Sequence, residues 1–118
     1  MASLLICFTQ TPYGSSTAQE GLDFALAATN FGHTVSVLFK DDGVFQLVKS
    51  ASIKGVKNHS KRLASMPFFD IESCFVCQIS ATQRGVNVND VMDAIDATFV
   101  TAAQQIELIS SSDHVVTF

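Results

Sequence analysis

Residues Leu4–Phe39, LLICFTQTPYGSSTAQEGLDFALAATNFGHTVSVLF, decide the fold class of this 118-residue chain. The apolar run Leu4–Thr9 predicts a first strand that is buried on both faces, as strands of a parallel sheet are. Apolar residues then recur at helical spacing as far as Gly32, and the β-branched run His33–Phe39 predicts a second strand. Strand, helix and strand in fewer than 40 residues indicate a βαβ unit with a right-handed crossover.

The ends of this first helix carry recognisable signals. Ser16 or Thr17 can serve as the N-cap, with Gln19 or Glu20 three residues further on, which is the capping-box pattern. Gly32 follows the last apolar position, where a left-handed residue commonly ends a helix. We therefore expect the helix to lie between these residues.

The same alternation continues to the end of the chain. We predict a turn and short helix after Asp41, further strands and helices in alternation, and a mobile polar loop at Ser50–Ser60. The predicted elements are a helix at Lys61–Met66, a strand near Ser73–Val76, a helix from Cys77 to Gly85, a helical segment at Val88–Ala94, a strand at Ala97–Val100, a helix from Thr101 to about Ile109, and a strand at His114–Phe118. Residues 1–118 should form one three-layer α/β domain, a central mostly parallel five-stranded sheet with helices on both faces.

The composition predicts a buried surface beyond an ordinary core. Hydrophobic residues make up 47% of the chain and charged residues only 15%, whereas soluble domains carry about 25% charged residues. The chain has ten Phe and one Tyr, and aromatic residues favour the centres of interfaces. A subunit interface explains this surplus, and a Phe-rich core is the alternative.

The charge and the apolar segments of the sequence argue against a nucleic-acid-binding, a membrane-spanning or an exported protein. The net charge is −4, and the basic residues Lys54, Lys57, Lys61 and Arg62 form no strong positive surface, so we expect no direct nucleic-acid binding. These four residues fit a solvated face or, alternatively, a docking patch for an acidic partner. No segment has the apolar length to span a membrane. Met1–Phe8 lacks the features of an export signal, which predicts a cytoplasmic protein with reduced cysteines.

Three segments should meet at one edge of the sheet. Gln10–Ser16, Asp41–Phe45 and the stretch around Cys77 each follow a predicted strand, and ligands of open α/β sheets bind at the carboxyl ends of strands. The turn Thr11–Ser16 could hold an anion on its N–H groups, but it lacks the G-K-[ST] ending of a P-loop. A plain strand-to-helix turn is the alternative.

Cys77 is the candidate reactive residue at this edge. A thiol in the first turn of a helix lies near unpaired N–H groups, which stabilise its thiolate form. A thiolate attacks another sulfur atom, and it can thereby receive sulfur as a persulfide. The alternative is a structural cysteine that packs beneath the helix.

The other cysteines offer weaker alternatives. Cys74 and Cys77 form a C-x-x-C spacing, which could indicate a dithiol oxidoreductase, although Cys74 lies within the predicted strand. The histidines have no paired spacing, so a zinc site is disfavoured and we predict neither a metal nor a cofactor. Cys7 should be a small buried residue of the first strand.

Three motifs spread over the chain resemble one known family. Thr11–Gly14 with Gln19–Asp23 is the first motif, Asp42–Leu47 is the second and most diagnostic, and Asp70–Cys77 with Gln83–Gly85 is the third. The whole chain is similar to TusC/DsrF-type subunits of the DsrE/DsrF/DsrH-like family. The resemblance implies a small α/β domain with a mostly parallel sheet.

The resemblance also implies partners and a pathway. TusC-like chains assemble with TusB-like and TusD-like sister subunits into a heterotrimer that pairs into a heterohexamer. The complex passes persulfide sulfur from a TusA-like donor towards a TusE-like acceptor, for 2-thiouridine formation at tRNA wobble positions. A DsrEFH-like sulfur-oxidation complex is the alternative. The isolated chain would be expected to self-associate or aggregate.

The family limits what Cys77 can be expected to do. In DsrE- and TusD-like subunits the sulfur-carrying cysteine begins a pattern similar to C-x-A-A-x-x-R-R-G. Cys77, Arg84 and Gly85 match that pattern here, whereas Gln78–Ser80 and Gln83 depart from it. The resemblance assigns the relay cysteine to the TusD-like sister, so we expect a mainly structural, partner-binding subunit.

Overall fold

The computed structural model describes residues 2–11, 16–48, 62–66, 71, 73–91 and 95–118. The predicted loop Ser50–Ser60 lies outside these residues, as do Lys54, Lys57 and Lys61. The described elements are β1 (Ser3–Phe8), α1 (Thr17–Asn30), β2 (Thr34–Phe39), a first 3₁₀ helix (Asp41–Leu47), β3 (Ser73–Cys77), α2 (Gln78–Gln83), a second 3₁₀ helix (Val88–Asp90), β4 (Ala97–Val100), α3 (Ala102–Ser111) and β5 (His114–Thr117). Residues 62–64 are also helical.

The five strands form one parallel sheet in the order β4-β3-β2-β1-β5. Ile6 of β1 lies opposite Val37 of β2 and Val116 of β5, which places β1 in the interior of the sheet. The chain steps outwards from β1 to β4 and then returns to the other side of β1. Right-handed crossovers in both directions place α1 and α2 on one face and α3 on the other. The predicted three-layer α/β fold is confirmed.

One face of the sheet carries most of the core. Alternate strand residues point to each face, and those on the α1 side pack against helix residues such as Leu22 and Ala25. Phe8 and Phe39 stack within this core with ring centroids 5.0 Å apart. The fully buried strand residues on this face are Ile6, Phe8, Val37, Phe39 and Val76.

The opposite face has a thinner cover. Leu5, Cys7, Leu38 and Val100 form a small buried cluster, to which Phe75 and Leu108 add partly buried contacts. The helix on this side, α3, buries none of its ten residues. Within the described residues, the layer on this face is therefore one loosely packed helix.

Two glycines show why the chain turns where it does. Gly32 has φ of 83° and follows Phe31, the C-cap of α1, which confirms the predicted left-handed helix end. At Gly43 an added Cβ would lie 1.9 Å from the carbonyl oxygen of Phe8. The first 3₁₀ helix can therefore lie against the carboxyl end of β1 only because residue 43 has no side chain.

The helix caps differ in how well they were predicted. Thr101 caps α3 as expected, since its Oγ1 accepts from Gln104 N at 3.3 Å and Gln104 Oε1 accepts from Thr101 N at 2.8 Å. Ser16 occupies the N-cap of α1, but its Oγ donates to Glu20 Oε1 at 2.8 Å instead of accepting from a backbone N–H. The predicted capping box of α1 is therefore wrong.

The predicted helical segment Val88–Ala94 is confirmed only in part, because its described residues contain a short 3₁₀ helix and not a longer one. Only Val88–Asp90 form a 3₁₀ turn, which a capping box between Asn87 and Asp90 closes. Val91 then leaves the turn in an extended conformation and pairs with Val48 in an antiparallel bridge. Burial of Val91 against the core outweighs the weak helical spacing.

The described residues bear on the predicted basic face and on the absence of a membrane span. Of the four basic residues, Arg62 is the described one, and it pairs with the exposed carboxylate of Asp23. In the part of the chain that the structure describes, none of the helices combines the length and apolarity that a membrane crossing requires.

Candidate functional site

The carboxyl edge of the sheet brings together the three segments expected there. The buried side chain of Gln46 in the first 3₁₀ helix donates from Nε2 to the carbonyl oxygen of Gln10, at 2.8 Å. The backbone N–H of Asp41 donates to Ser80 Oγ in α2, at 2.9 Å. Residues 12–15 are not described, so the anion site predicted at Thr11–Ser16 stays a prediction.

Cys77 lies at the centre of this edge. It is the last residue of β3 and the N-cap of α2, and its side chain is buried, with 7% of the residue exposed. The backbone N–H of Ser80 donates to Cys77 Sγ at 3.5 Å, which makes the sulfur the cap of the helix. The sequence placed this cysteine at the strand-to-helix junction, and the structure has it there.

Competing effects set the pKa of the Cys77 thiol. Burial raises it, because a thiolate loses hydration. Hydrogen bonds from the side chain and backbone N–H of Ser80, from the Gln105 side chain and from the backbone N–H of Ile79 lower it. Together these donors outweigh burial, so the pKa lies below the ordinary value. Among the described residues, hydrogen bonds and not ion pairs therefore favour the thiolate form of Cys77.

Ser80 connects the thiol to the first 3₁₀ helix. It is 5% exposed, and its Oγ, which faces Cys77, also accepts from Asp41 N. Asp41 has φ of 52°, a left-handed conformation that costs a non-glycine residue about 1 kcal/mol. An ion pair between Arg84 Nε and Asp42 Oδ1 at 3.0 Å joins the same two elements. These contacts hold α2, and hence Cys77, against the end of β2.

Cys74 does not share this environment. Alternation along β3 points its side chain to the α1 face, where it belongs to the main core, whereas Cys77 points to the opposite face. Burial raises the pKa of the Cys74 thiol to about 11, and Asp96 adds to the rise. Two thiols on opposite faces of a strand cannot form a disulfide without backbone movement. This geometry argues against the dithiol alternative.

The remaining candidate ligands stay apart. Cys7 is buried in β1, as expected, and burial raises the pKa of its thiol. His33 Nδ1 accepts from the backbone N–H of Ala2 at 3.2 Å, and His114 begins the edge strand β5. Among the described residues, no three His, Cys, Asp or Glu side chains come close enough to hold a metal ion.

Two residues at the thiol were not identified from the sequence. Ser80 was noticed only as a departure from the family pattern, and Gln105 was not considered. Ser80 could have been found from its position three residues after an N-cap, where the cap accepts its N–H. Gln105 lies 28 positions from Cys77, and only the pairing of Cys77 with Val100 in the sheet brings them together.

Solved structures with the same fold support the architecture. The ychN protein from E. coli superposes with a TM-score of 0.77 over 100% of both chains, at 19% sequence identity. A conserved protein of unknown function from Bacteroides thetaiotaomicron, BT1422, gives a TM-score of 0.71 at 13% identity, and covers 98% of this chain and 94% of that chain. At these identities the likeness concerns the fold alone.

Sequence comparison assigns the family. A protein described as a TusC homolog from Vibrio parahaemolyticus is 32% identical over 120 residues, covering 100% of both chains. A second TusC homolog, from Vibrio vulnificus, is 31% identical with the same coverage. The model of the DsrE/DsrF-like family matches residues 2–118. The chain therefore belongs to the DsrE/DsrF-like family.

Proposed function

We propose that this chain is a partner-binding subunit of a cytoplasmic sulfur-relay complex. In this proposal it assembles with TusB-like and TusD-like sister subunits into a heterohexamer. The complex passes persulfide sulfur from a TusA-like donor to a TusE-like acceptor, for 2-thiouridine formation at tRNA wobble positions. The role of this chain is mainly structural.

The similarity to TusC homologs carries this proposal. Two such proteins match the chain from end to end at 32% and 31% identity. The match is confined to no single motif, and the family model also covers the chain almost completely. Because the similarity extends over the whole of both chains, we expect this chain to bind its partners through the same surfaces as these relatives do.

Exposed aromatic residues on α1 support a partner-binding role. Phe31 is 81% exposed and Phe24 is 41% exposed, although both are large apolar side chains. With Leu4, Ala27, Ala28 and His33 they line an apolar groove of about 240 Å³, which we term the α1 groove. Phe24 also contacts Phe118, with ring centroids 5.6 Å apart, so one wall of the groove packs against the residue that follows β5.

A second exposed apolar surface lies on α3. Ile106 is 65% exposed and Ile109 is 44% exposed, and helical spacing places them with Ala102, Ala103 and Ser110 on one side of the helix. We term these five residues the α3 face. It contains no charged residue, whereas the solvent face of a surface helix is normally polar. Surfaces of this kind indicate protein partners.

Co-expression with the two proposed sister subunits tests the proposal. We expect the tagged chain to co-purify with both and to elute with them as one species in size-exclusion chromatography. Phe31→Asp tests the α1 groove and Ile106→Asp tests the α3 face. Where the tested surface contacts a sister subunit, the substitution should reduce co-purification at least tenfold, because burying an unpaired carboxylate in an interface costs binding free energy.

Asn30→Asp provides the matched control, since it adds the same charge at an exposed position next to Phe31. It should leave assembly unchanged. A wild-type chain that stays monomeric in the presence of both sister subunits would refute the proposal. Retained assembly in both Phe31→Asp and Ile106→Asp would show that partners use other surfaces.

The geometry at Cys77 favours a second candidate function, that of a sulfur carrier in a DsrEFH-like sulfur-oxidation complex. In this step the Cys77 thiolate attacks the outer sulfur of a donor persulfide. A new S–S bond forms at Cys77 while the donor S–S bond breaks, and the donor leaves as a thiol after taking up a proton. No external oxidant or reductant is needed, because sulfur is transferred between two thiols.

Intact-mass measurement tests the carrier function. After incubation with a protein persulfide donor, the wild-type chain should gain the mass of one sulfur atom, and dithiothreitol should remove it. Cys77→Ser should gain nothing, whereas the control Cys7→Ser, which removes a buried thiol of β1, should behave as wild type. Absence of the added sulfur at Cys77 in the wild-type chain rules out the carrier function but leaves the partner-binding proposal intact.

A further inference from the structure

A cavity of about 400 Å³ lies between α3 and the sheet, and we term it the α3 cavity. Phe75 of β3 and Thr98 and Val100 of β4 form its floor, and α3 residues that include Glu107 and Leu108 form the opposite wall. The space stays open because none of the α3 residues is buried and only the partly buried Leu108 packs against the apolar cluster of this face. Cavities of about 300 to 1,000 Å³ are of the size that binds small molecules.

Cys77 lies at the end of this floor. Its Cα atom is paired with that of Val100 in the register of β3 and β4. Side chains in register point to the same face of a sheet, so Cys77 shares the α3 side with Val100 and with Phe75, two residues earlier in β3. Val100 belongs to the buried apolar cluster of this side, whereas Cys77 belongs to neither of the two apolar clusters of the described residues. Cys77 is only 7% exposed, and the α3 cavity offers a route to its sulfur.

The charge and the length of the α3 cavity indicate what it binds. Among the described residues that line it, Glu107 carries the charge, and the lining surface is mostly apolar. The helix begins at Ala102, close to the pair of Val100 and Cys77, and each helical residue rises about 1.5 Å, so Glu107 lies about 8 Å further along. The carboxylate attracts a cationic group, and a short aliphatic chain can extend from there along the apolar floor towards Cys77.

We propose that the α3 cavity binds small aliphatic molecules that carry an ammonium group and a terminal sulfur, with the ammonium group at Glu107 and the sulfur at Cys77. This inference rests on the second candidate function, in which Cys77 accepts sulfur, and it names the class of donor as an aminoalkyl persulfide. The Cys77 thiolate attacks the outer sulfur of this donor and forms a new S–S bond. The S–S bond of the donor breaks, and an aminoalkyl thiol leaves after taking up a proton.

Thiol–disulfide exchange at Cys77 tests the proposal on the whole purified chain. The probes are three symmetrical disulfides of similar length, namely cystamine with ammonium ends, hydroxyethyl disulfide with neutral ends and dithiodipropionate with carboxylate ends. In each case the Cys77 thiolate attacks one sulfur of the probe, a mixed disulfide forms, and the other half leaves as a thiol. Peptide mass spectrometry assigns the modification to Cys77. Each rate is divided by the Cys77 rate in denaturant, because the three leaving thiols differ in reactivity.

The folded wild-type chain is expected to favour the cationic probe. At low ionic strength, the normalised Cys77 rate should be at least about threefold higher with cystamine than with hydroxyethyl disulfide, which is an effect of the size expected for one exposed ion pair. Dithiodipropionate should react slowest, because the Glu107 carboxylate repels it. High salt should remove these differences, since it screens charges that are exposed to solvent.

Variants of Glu107 locate the source of the preference. Glu107→Gln removes the charge and keeps the shape, so the preference for cystamine should disappear. Glu107→Lys should reverse the order and favour dithiodipropionate. Glu20→Gln is the matched control, since it changes the net charge by the same amount at an exposed position of α1, on the other face of the sheet. It should react as the wild-type chain does.

Equal normalised rates for the three probes in the wild-type chain, or an unchanged preference in Glu107→Gln, would overturn the proposal. An equal loss of preference in Glu20→Gln would also overturn it, because net charge and not the cavity would then set the order of rates. Should Glu107→Lys disturb α3, the comparison with Glu107→Gln decides. The assay uses no persulfide. A chain that shows the preference but gains no sulfur in the intact-mass measurement therefore loses the carrier function while the binding site stands.

Discussion

Replacing Gly43 by alanine is expected to lower the free energy of unfolding by about 3 kcal/mol or more, as overpacking against rigid neighbours does. The added Cβ would lie 1.9 Å from the carbonyl oxygen of Phe8 and 2.5 Å from its carbonyl carbon. Both are backbone atoms of β1, which pairs with a strand on each side. Neither atom can move without disturbing the sheet, so the first 3₁₀ helix must shift.

Chemical denaturation of three alanine variants measures this effect. Gly85 has φ of 70° and nothing within 4 Å of an added Cβ, so Gly85→Ala should cost only about 1 kcal/mol of conformational strain. At Gly21 the Cβ would meet the ring of Phe8 at 2.6 Å, and a side chain can yield more easily than backbone. We expect the losses to rank Gly43, then Gly21, then Gly85. A Gly43→Ala loss no larger than that of Gly85→Ala would contradict this account.

The same substitution should also disturb the thiol site. Displacement of the first 3₁₀ helix would separate the Asp41 N–H from Ser80 Oγ, which lie 2.9 Å apart. Ser80 would then lose a contact that orients it towards Cys77. Stability and thiol reactivity are therefore linked through one close approach at the end of β1.

The fold could be predicted from the sequence because local and long-range signals agree. Apolar runs buried on both faces marked β1 and β2, and Gly32 marked the end of α1, where the structure has φ of 83°. In the predicted helical segment Val88–Ala94, the 3₁₀ helix ends at Asp90, because the spacing signal was short and Val91 makes a tertiary contact instead. Val91 pairs with Val48, more than 40 positions earlier, and no local pattern reports such a bridge.

The site could be predicted only in part, for a related reason. The position of Cys77 could be predicted because a cysteine at a strand-to-helix junction is a local feature, whereas its role in sulfur transfer stays a prediction. Ser80 and Gln105 act on the sulfur through the detailed geometry of α2 and through the pairing of β3 with β4. The sequence pattern predicted that the strands end at one edge, but not which polar side chains point inwards there.

Iodoacetamide alkylation of the folded wild-type chain at pH 7 is expected to modify Cys77 at least about tenfold faster than Cys74, because the larger thiolate fraction of Cys77 outweighs the higher intrinsic nucleophilicity of the more basic Cys74 thiolate. Thiolate is the reactive form. A thiol with a pKa of about 11, like Cys74, is ionised in about one molecule in ten thousand at pH 7. The Cys77 pKa lies below 9.0, so its thiolate fraction exceeds about one in a hundred. Both thiols are buried, with 4% of Cys74 and 7% of Cys77 exposed, so ionisation and not access sets the expected difference.

The pH dependence separates this electrostatic cause from access alone. The Cys77 rate should rise with pH and level off at the pKa of its thiol, below pH 9, because ionisation is complete above that value. The Cys74 rate should continue to rise towards pH 11 for as long as the chain stays folded. In denaturant the two thiols should react at similar rates, which provides the internal control. Equal labelling of the folded chain, or a Cys77 midpoint above pH 9, would mean that the hydrogen bonds from Ser80 and Gln105 do not outweigh burial.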